Sequence, residues 1–404
     1  MPQSTKKPQL RFKGFTDDWE QRKLGMCVLI ERGGSPRPID EYITNDDRGL
    51  NWIKIGDAPE QGNYITKTAE KIKITGLSKT RQVVPGDLIL SNSMSFGRPY
   101  IMAIDGCIHD GWLVIRNTND KFDLIFLCHL LGIPQMLEQY KSLAAGSTVN
   151  NLNKDLVGST SVSFPQKREQ KFLGELFNNI DNLIILQQRK LEKLKNVKKS
   201  MLEKMFAKNG SIVPEIRFKG FTDDWKQRKL GEVAKYKNGK AHENYILDSG
   251  RYIVVNSKFV STEGKICKYS NKQIEPLYIN DIAFVLSDVP NGRALARTYF
   301  IEKNNKYTLN QRIAGISPNE VTWPYYLYIL MNRNKYFLQF DDGAKQTNLS
   351  LNDVMGFEEY YPPFSEQKKI GEYFAQIDNL ITLHQRKLEK LQNIKKACLE
   401  KMFV

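Results

Sequence analysis

The sequence predicts an α+β protein: two mixed α/β domains separated by two long antiparallel coiled-coil helices, arranged as a pseudo-twofold, cyclic duplication. Three observations predict it. Two blocks of sequence each occur twice, the segments between them carry short strand signals, and one repeated block has the periodicity of a coiled coil.

The repeat is plain. Pro8–Gly25 (PQLRFKGFTDDWEQRKLG) returns as Pro214–Gly231 with 15 of 18 positions identical, and Glu169–Phe206 returns as Glu366–Phe403 with 27 of 38 identical. With only two copies, the chain is not a solenoid. The offsets, 206 and 197, differ by nine, so the difference falls in the middles, Met26 to Ala145 against Glu232 to Asp342. The middles differ almost throughout. Faint echoes remain: Trp52-Ile53-Lys54-Ile55 against Tyr252-Ile253-Val254-Val255, Gly86-Asp87 against Asn280-Asp281, and Gly97-Arg98 against Gly292-Arg293. Near-identical frames around divergent inserts are expected where one frame meets the same partner twice and each insert recognises something different.

The middles carry runs rich in Ile, Val, Leu and Tyr, at Asp87–Leu90, Trp112–Ile115, Tyr252–Val255 and Ile279–Leu286, punctuated by turn residues. Helical stretches are expected at Leu124–Tyr140 and Trp323–Phe340. The repeated tails differ in kind. Leu173, Phe177, Ile180, Ile184, Gln187, Leu191 and Leu194, continuing to Lys198, Met201 and Met205, alternate four- and three-residue steps. The second copy supplies Ile370, Phe374, Ile377, Ile381, His384, Leu388 and Leu391, continuing to Lys395, Cys398 and Met402. Both are coiled-coil seams, and two matching seams in one chain most simply pack on each other. Pro165 and Pro362-Pro363 mark the helix starts. Each helix spans about 57 Å at 1.5 Å per residue, and a whole domain must fit between the end of the first and the start of the second. Antiparallel packing satisfies that and puts the domains at opposite ends of a rod. The expected boundaries are 1–163, 164–206, 207–361 and 362–404. The fifth seam position is polar in both copies, so Gln187 and His384, each near the middle of its helix, are expected to face each other.

Composition narrows the function. The 404 residues hold 60 Lys and Arg against 45 Asp and Glu, a net charge of +15. That balance favours a polyanionic partner, nucleic acid first and an acidic membrane surface second. No stretch approaches the length of a membrane span and the opening residues lack an apolar signal core, so a cytoplasmic protein is expected. Cys27, Cys107, Cys128, Cys267 and Cys398 are odd in number and never spaced as close pairs. They read as reduced thiols. Cys107 with His109 and Cys128 beside His129 offer two halves of a metal site, but without repeated close pairs no metal is expected.

Catalytic signals are thin, and no catalytic residue is assigned. Tyr361-Pro362-Pro363-Phe364 is similar to the motif with which amino-methyltransferases hold the target nitrogen, yet Tyr stands where an amide or carboxylate is needed. It reads as a turn opening a helix. Asp248 with Glu263-Gly264-Lys265 has the content of a metal nuclease at a spacing that arises often by chance. No phosphate loop or glycine-rich cofactor loop is present. For DNA contact, Arg32, Arg37, Lys54, Lys79, Arg81 and Arg98 are the candidates in the first middle, and Lys240, Arg251, Lys258, Arg293, Arg297 and Lys345 in the second. Arg and Lys neutralise phosphates, and Arg pairs with guanine. Any one of them also reads as a solvated surface charge. Arg98 and Arg293, each after Gly, occupy corresponding places.

Four features together resemble the specificity subunit of type I restriction-modification systems. They are the opening RFKGFTDDW with its following Lys-Leu-Gly in both copies, the Asn-Leu segments at Asn151-Leu152 and Asn348-Leu349, the Glu-Gln pairs at Glu169-Gln170 and Glu366-Gln367, and the IDNLI…QRKLEKL helix. The likeness covers nearly all of the chain. It implies two target recognition domains, each reading half of a split site in double-stranded DNA, held apart by the two helices. It further implies that the helices dock two methyltransferase subunits, that restriction subunits join the complex, and that the subunit is not itself the catalyst. S-adenosylmethionine, ATP and magnesium are then expected on the partners and no cofactor on this chain. The excess of ten Lys or Arg over five Asp or Glu in Lys167–Lys204 reads as partner docking only through this resemblance. The rival expectations are a self-contained methyltransferase or nuclease with its own recognition domains, and a coiled-coil interaction protein with no DNA role.

Overall fold

In the computed structural model, residues 7–92, 97–145, 152–207 and 211–404 are described. The chain divides into two compact units, residues 1–191 with 384–404, and residues 192–383.

The first unit is built on two five-stranded sheets. One runs in the spatial order Leu29–Arg32, Trp112–Arg116, Leu88–Ser91, Pro99–Met102, Tyr64–Ile65; the other runs Ile43–Thr44, Glu70–Ile72, Leu50–Ile53, Gly106–Ile108, Arg81–Val83. Side chains alternate across a strand, so a strand buried on both faces must be apolar throughout. Leu88–Leu90 and Trp112–Ile115 meet that demand. Leu88, Leu90, Leu113 and Ile115 face one cluster with Phe126, Leu173 and Phe177, while Ile89, Trp112 and Val114 face a second with Ile53, Val83 and Ile108. The second unit repeats the plan with two four-stranded sheets. Their orders are Ala234–Asn238, Ile313–Pro318, Ile282–Val285, Thr298–Phe300, and Lys268–Ser270, Tyr252–Val255, Tyr307–Leu309, Pro276–Leu277. Ile282, Phe284, Ala314 and Ile316 face the helices, and Ala283, Val285 and Ile313 face the other sheet.

Strand pairing corrects two of the sequence echoes. Ile53 and Val255 occupy the same place, each accepting from the residue after the partner strand, His109 or Asn310. The register is therefore two residues from the one expected, an even shift that keeps the faces. Ser91 N–H bonds to Arg98 C=O, and Val285 N–H bonds to Arg297 C=O. The counterpart of Arg98 is accordingly Arg297, because the loop of the second unit is five residues longer, and a glycine within it had aligned Arg98 with Arg293. Gly86 and Asn280 do correspond: both lie in the left-handed region, φ 93° and 72°, at the turn before the central strand.

The long helices run Lys167–Lys204 and Phe364–Lys401. The expected helix over Leu124–Tyr140 is two helices, Leu124–Leu131 and Pro134–Ala145, because Gly132 and Pro134 interrupt the hydrogen-bond ladder. Its counterpart over Trp323–Phe340 is Pro324–Met331 and Lys335–Leu338, broken where Arg333 turns left-handed at φ 55°. Ile279–Leu286 is strand only over Ile282–Val285, since Asn280 and Asp281 make the turn.

Each unit is closed by a frame of repeated residues. Glu20–Lys23 pairs antiparallel with Ser161–Phe164, and Lys226–Lys229 pairs with Glu358–Tyr361. Arg11 clasps Glu169 through two 2.7 Å bonds, and Arg217 clasps Glu366 at 2.7 and 2.8 Å. Gln170 accepts from Asp123 N–H at the head of the Leu124–Leu131 helix, as Gln367 accepts from Trp323 N–H. The Glu-Gln pair thus ties the opening block and a short helix to the first turn of each long helix.

The helices pack antiparallel within each unit. In the first, Phe177 lies against Phe403, Lys395 against Asp181 at 2.5 Å, and His384 Nδ1 lies 2.6 Å from Gln187 Oε1. In the second, Phe374 lies against Phe206 and Lys198 against Asp378 at 2.6 Å. Leu173, Phe177, Ile180, Ile184, Ile370, Phe374 and Ile377 are buried, whereas Leu191, Leu194, Ile381, Leu388 and Leu391 are half-buried. Among the described residues no helix is long and apolar enough to cross a membrane.

Candidate nucleic-acid interface

In the first unit, three of the six candidate cations gather around the loops that follow two neighbouring strands. Arg32 donates to Asp110 C=O at 3.4 Å, the Arg37 guanidinium stands 3.8 Å from the Asp110 carboxylate, and Lys54 pairs with Glu70. Arg37, Lys54, Glu70, Trp52 and His109 line one open cavity of about 1020 Å³. Asp110 ties several of these groups together, accepting from Ser35 Oγ at 2.8 Å and lying 2.9 Å from His109 Nε2. Burial pushes the Asp110 carboxyl up, but Ser35, His109, Arg32 and Arg37 outweigh it and hold the group below its ordinary value. Arg37, mostly exposed, remains free to reach an anion.

The others lie apart. Lys79 stacks on Tyr42, Arg81 pairs with Glu31 at 3.3 Å, and Arg98 donates to Glu60 C=O and lies over Tyr100. Arg98 lines a different cavity, of about 560 Å³, with His129, Asp181, Lys395 and Lys396.

The second unit gathers a different three. Arg297 Nε donates to Arg293 C=O at 2.6 Å, and the loop holding both is tied to the Lys345 loop. The ties are Asn291 Nδ2 to Gly343 C=O, Gln346 Nε2 to Ser287 Oγ, and the pairing of Ser287 with Asn348. Lys240 pairs with Glu275, Arg251 lies over Tyr252, and Lys258 is exposed on a short helix; none joins this group. Asn348-Leu349 belongs to the loop, while Asn151 of the first copy lies outside the described residues.

Among the described residues, the groups that suggested the rival readings make structural contacts. Asp248 is fully exposed and pairs with Lys268, whereas Glu263-Gly264-Lys265 forms a turn after Thr262. Tyr361 is buried against Tyr326, and Pro362 and Pro363 carry carbonyls that accept from Gln367 and Glu366 at the helix start. Cys107 and Cys128 sit in different hydrophobic clusters, and among the described residues no three metal-ligating side chains come together.

Sequence reasoning named His109 only beside Cys107 and Lys395 only on the helix seam; it assigned no role in these sites to His109, Asp110, Asp181 and Lys395. For the last two a signal existed, since Asp181 and Lys198 recur as Asp378 and Lys395 in the repeat. For His109 and Asp110 there was none.

A family profile described as the type I restriction modification DNA specificity domain matches residues 16–196 and again 222–393. The chain belongs to the type I restriction-modification specificity-subunit family. Each match takes in the strands of one unit and most of one long helix, so this specificity subunit carries two DNA-recognition domains. The type I restriction enzyme MjaVIII specificity subunit of Methanocaldococcus jannaschii is 21% identical over 94% of this chain and 91% of its own. The crystal structure of a type I restriction-modification S subunit from M. genitalium has the same fold, with a TM-score of 0.69 and 16% identity over 98% of this chain and 99% of its own. A structure of a type I restriction-modification system, solved to explain complex assembly and conformational transition, includes a chain with a TM-score of 0.52. That chain is 15% identical over 95% of this one and 97% of its own.

Proposed function

We propose that this specificity subunit reads a bipartite DNA target, one half through each recognition domain, and that it is a scaffold without catalysis of its own. One observation carries the reading: an identical frame, Arg11–Glu169 and Arg217–Glu366 with their Gln clamps, is built around two sheets whose loops gather different cations. A constant frame suits a constant partner, and the divergent loops suit two different half-sites.

The long helices set the distance between half-sites and dock two methyltransferase subunits; restriction subunits then join the complex. Exposed apolar side chains support docking. Leu183 and Leu186 of the first helix, and Leu380 and Leu383 at the same places in the second, are each about 45% exposed. Apolar residues at matching places on two helices suit the same partner bound twice. S-adenosylmethionine, ATP and magnesium act on the partner subunits.

The test is exchange. Replacing Met26–Ala145 by the middle of another specificity subunit should change one half of the methylated motif and leave the other, read by methylome sequencing. A change in both halves would refute the two-reader assignment. The purified chain should neither methylate DNA with S-adenosylmethionine nor cut it with magnesium, and robust activity in either assay would favour the self-contained enzyme.

A further inference from the structure

One cation in the second unit was not among the candidates. Arg333, at the break between Pro324–Met331 and Lys335–Leu338, sends Nη1 to Gly292 C=O at 3.3 Å and to Leu295 C=O at 3.1 Å. Its own N–H bonds to Ala296 C=O. Both residues are left-handed, Ala296 at φ 56° and Arg333 at φ 55°, and Asn291 beside them is at φ 54°. Non-glycine residues in that region are strained and cluster at binding sites.

The nearby carboxylates are turned to the backbone. Asp288 accepts from the N–H groups of Val289, Ala294 and Leu295. Asp341 accepts from Gly343 N–H and Thr347 Oγ1, and Asp342 accepts from Ala344 and Lys345 N–H. The packing at Gly292 is tight: a Cβ there would lie 2.1 Å from the Asp288 carboxylate. Among the described residues, the side-chain nitrogens of Arg293, Arg297, Arg333 and Lys345 have no carboxylate oxygen within 4 Å, unlike those of Lys237, Lys240 and Lys268 of the same unit. Burial first, and Arg297 second, push the Arg333 guanidinium below its ordinary value, against Asp288 and Asp341. Cations held together without anions of their own are stabilised by an anion that bridges them.

We infer that Arg297 and Arg333, flanked by Arg293 and Lys345, form a phosphate anchor for the DNA backbone in the second unit. The anchor fixes the register of the duplex and carries no base preference. It rests on the reading of the chain as a DNA-binding subunit. Backbone carbonyls take one edge of the Arg333 fork and leave the rest for phosphodiester oxygens, the bidentate match that guanidinium provides. The left-handed turns and the Arg333 N–H bond to Ala296 C=O fix the backbones that carry both arginines side by side before DNA arrives, which lowers the ordering cost of binding.

The experiment is fluorescence anisotropy of the full chain on two duplexes of unrelated sequence across a salt series. Arg297→Gln should weaken binding to both about equally, about tenfold near 0.1 M salt, and reduce the slope of log affinity against log salt by about one. Arg333→Gln should do the same, and Arg333→Lys, which keeps the charge but not the fork, should restore the slope with part of the affinity. Because Arg333 also braces a turn, its variants are compared at matched thermal stability, and Arg297→Gln stands as the surface variant. If wild type binds with a steep slope and Arg297→Gln leaves it unchanged, the anchor is wrong while the DNA-binding reading stands. If the loss falls on one duplex only, Arg297 reads bases and the anchor is again wrong. If wild type shows no salt-dependent binding, the functional reading fails and the anchor with it.

Discussion

Asp181 shows how far a single residue's surroundings decide its behaviour. It takes Lys395 at 2.5 Å and Asn63 Nδ2 at 2.9 Å, and stands 3.6 Å from His129 Nε2. Deep burial drives the His129 pKa down to about 4, with Lys395 adding to the effect and Asp181 opposing it. A depressed folded pKa means that the neutral ring stabilises the fold above the unfolded value near 6.5, and that stability falls as acid charges the unfolded chain first. Between pH 6.5 and 4 this one residue should cost about 3 kcal/mol. Protection factors of the Leu88–Ser91 amides, within the first unit and corrected for the intrinsic pH dependence of exchange, should therefore fall on acidification in wild type and much less so in His129→Gln. Lys395→Met should cost about 2–3 kcal/mol by leaving Asp181 buried without its cation, and adding Asp181→Asn should recover most of it. If the double variant were no better than the single, the pair would not be coupled. In sequence only the recurrence of these residues was legible, not their pairing. Asp181 and Lys395 sat in view within the repeat, but a partner 214 positions away (395 less 181) leaves no local trace. The same holds for Arg11, whose motif was evident and whose clasp on Glu169 was not.

Among the elements, the long helices read clearly because their signal is periodic over many residues, and the strands read well wherever both faces are buried. The short helices misled. Leu124 to Tyr140 is apolar enough to look continuous, and only the local chemistry of Gly132 and Pro134 divides it. The two sheets per unit were not legible either, since strand order follows pairings between distant segments. One packing detail governs how the helices meet. Gly174 in the first long helix passes the head of Leu124–Leu131 so closely that a Cβ would stand 2.7 Å from Asp123 Oδ1 and 3.1 Å from Phe126 N. Gly371 does the same beside Trp323 and Tyr326 N. In an open helix Gly→Ala gains about 1 kcal/mol. Here Gly174→Ala should instead destabilise the first unit by about 1–3 kcal/mol, the cost of overpacking, measurable by urea unfolding. A gain would mean that the helices can part without loss.

For the whole molecule, the proposed spacing role has a direct consequence. Four residues inserted between Lys193 and Val197 lengthen the first long helix by about 6 Å, near two base pairs of about 3.4 Å. Coiled coils absorb such a stutter by local unwinding. The methylated motif of that variant should keep its bases and widen its unread gap by one or two pairs. An unchanged gap with activity retained would take the spacing role away from the helices.

The crossing of Phe403 into the first unit also fixes an order in time. Phe403 lies against Trp19, Phe126 and Phe177, and Met402 sits in the same core, whereas the second unit draws only on residues 192–383. During synthesis the second unit has every residue it needs before the first does. The half of the protein made earliest must wait, its core unfinished, until the ribosome has delivered residue 403. A chain ending at residue 395 should accordingly keep slow amide exchange in Ile282–Val285 while Leu88–Ser91 exchanges freely. Nascent molecules thus pass through a stage in which only the later-made unit is folded, and an interrupted chain would expose the apolar face of the earlier one to the cell's proteases.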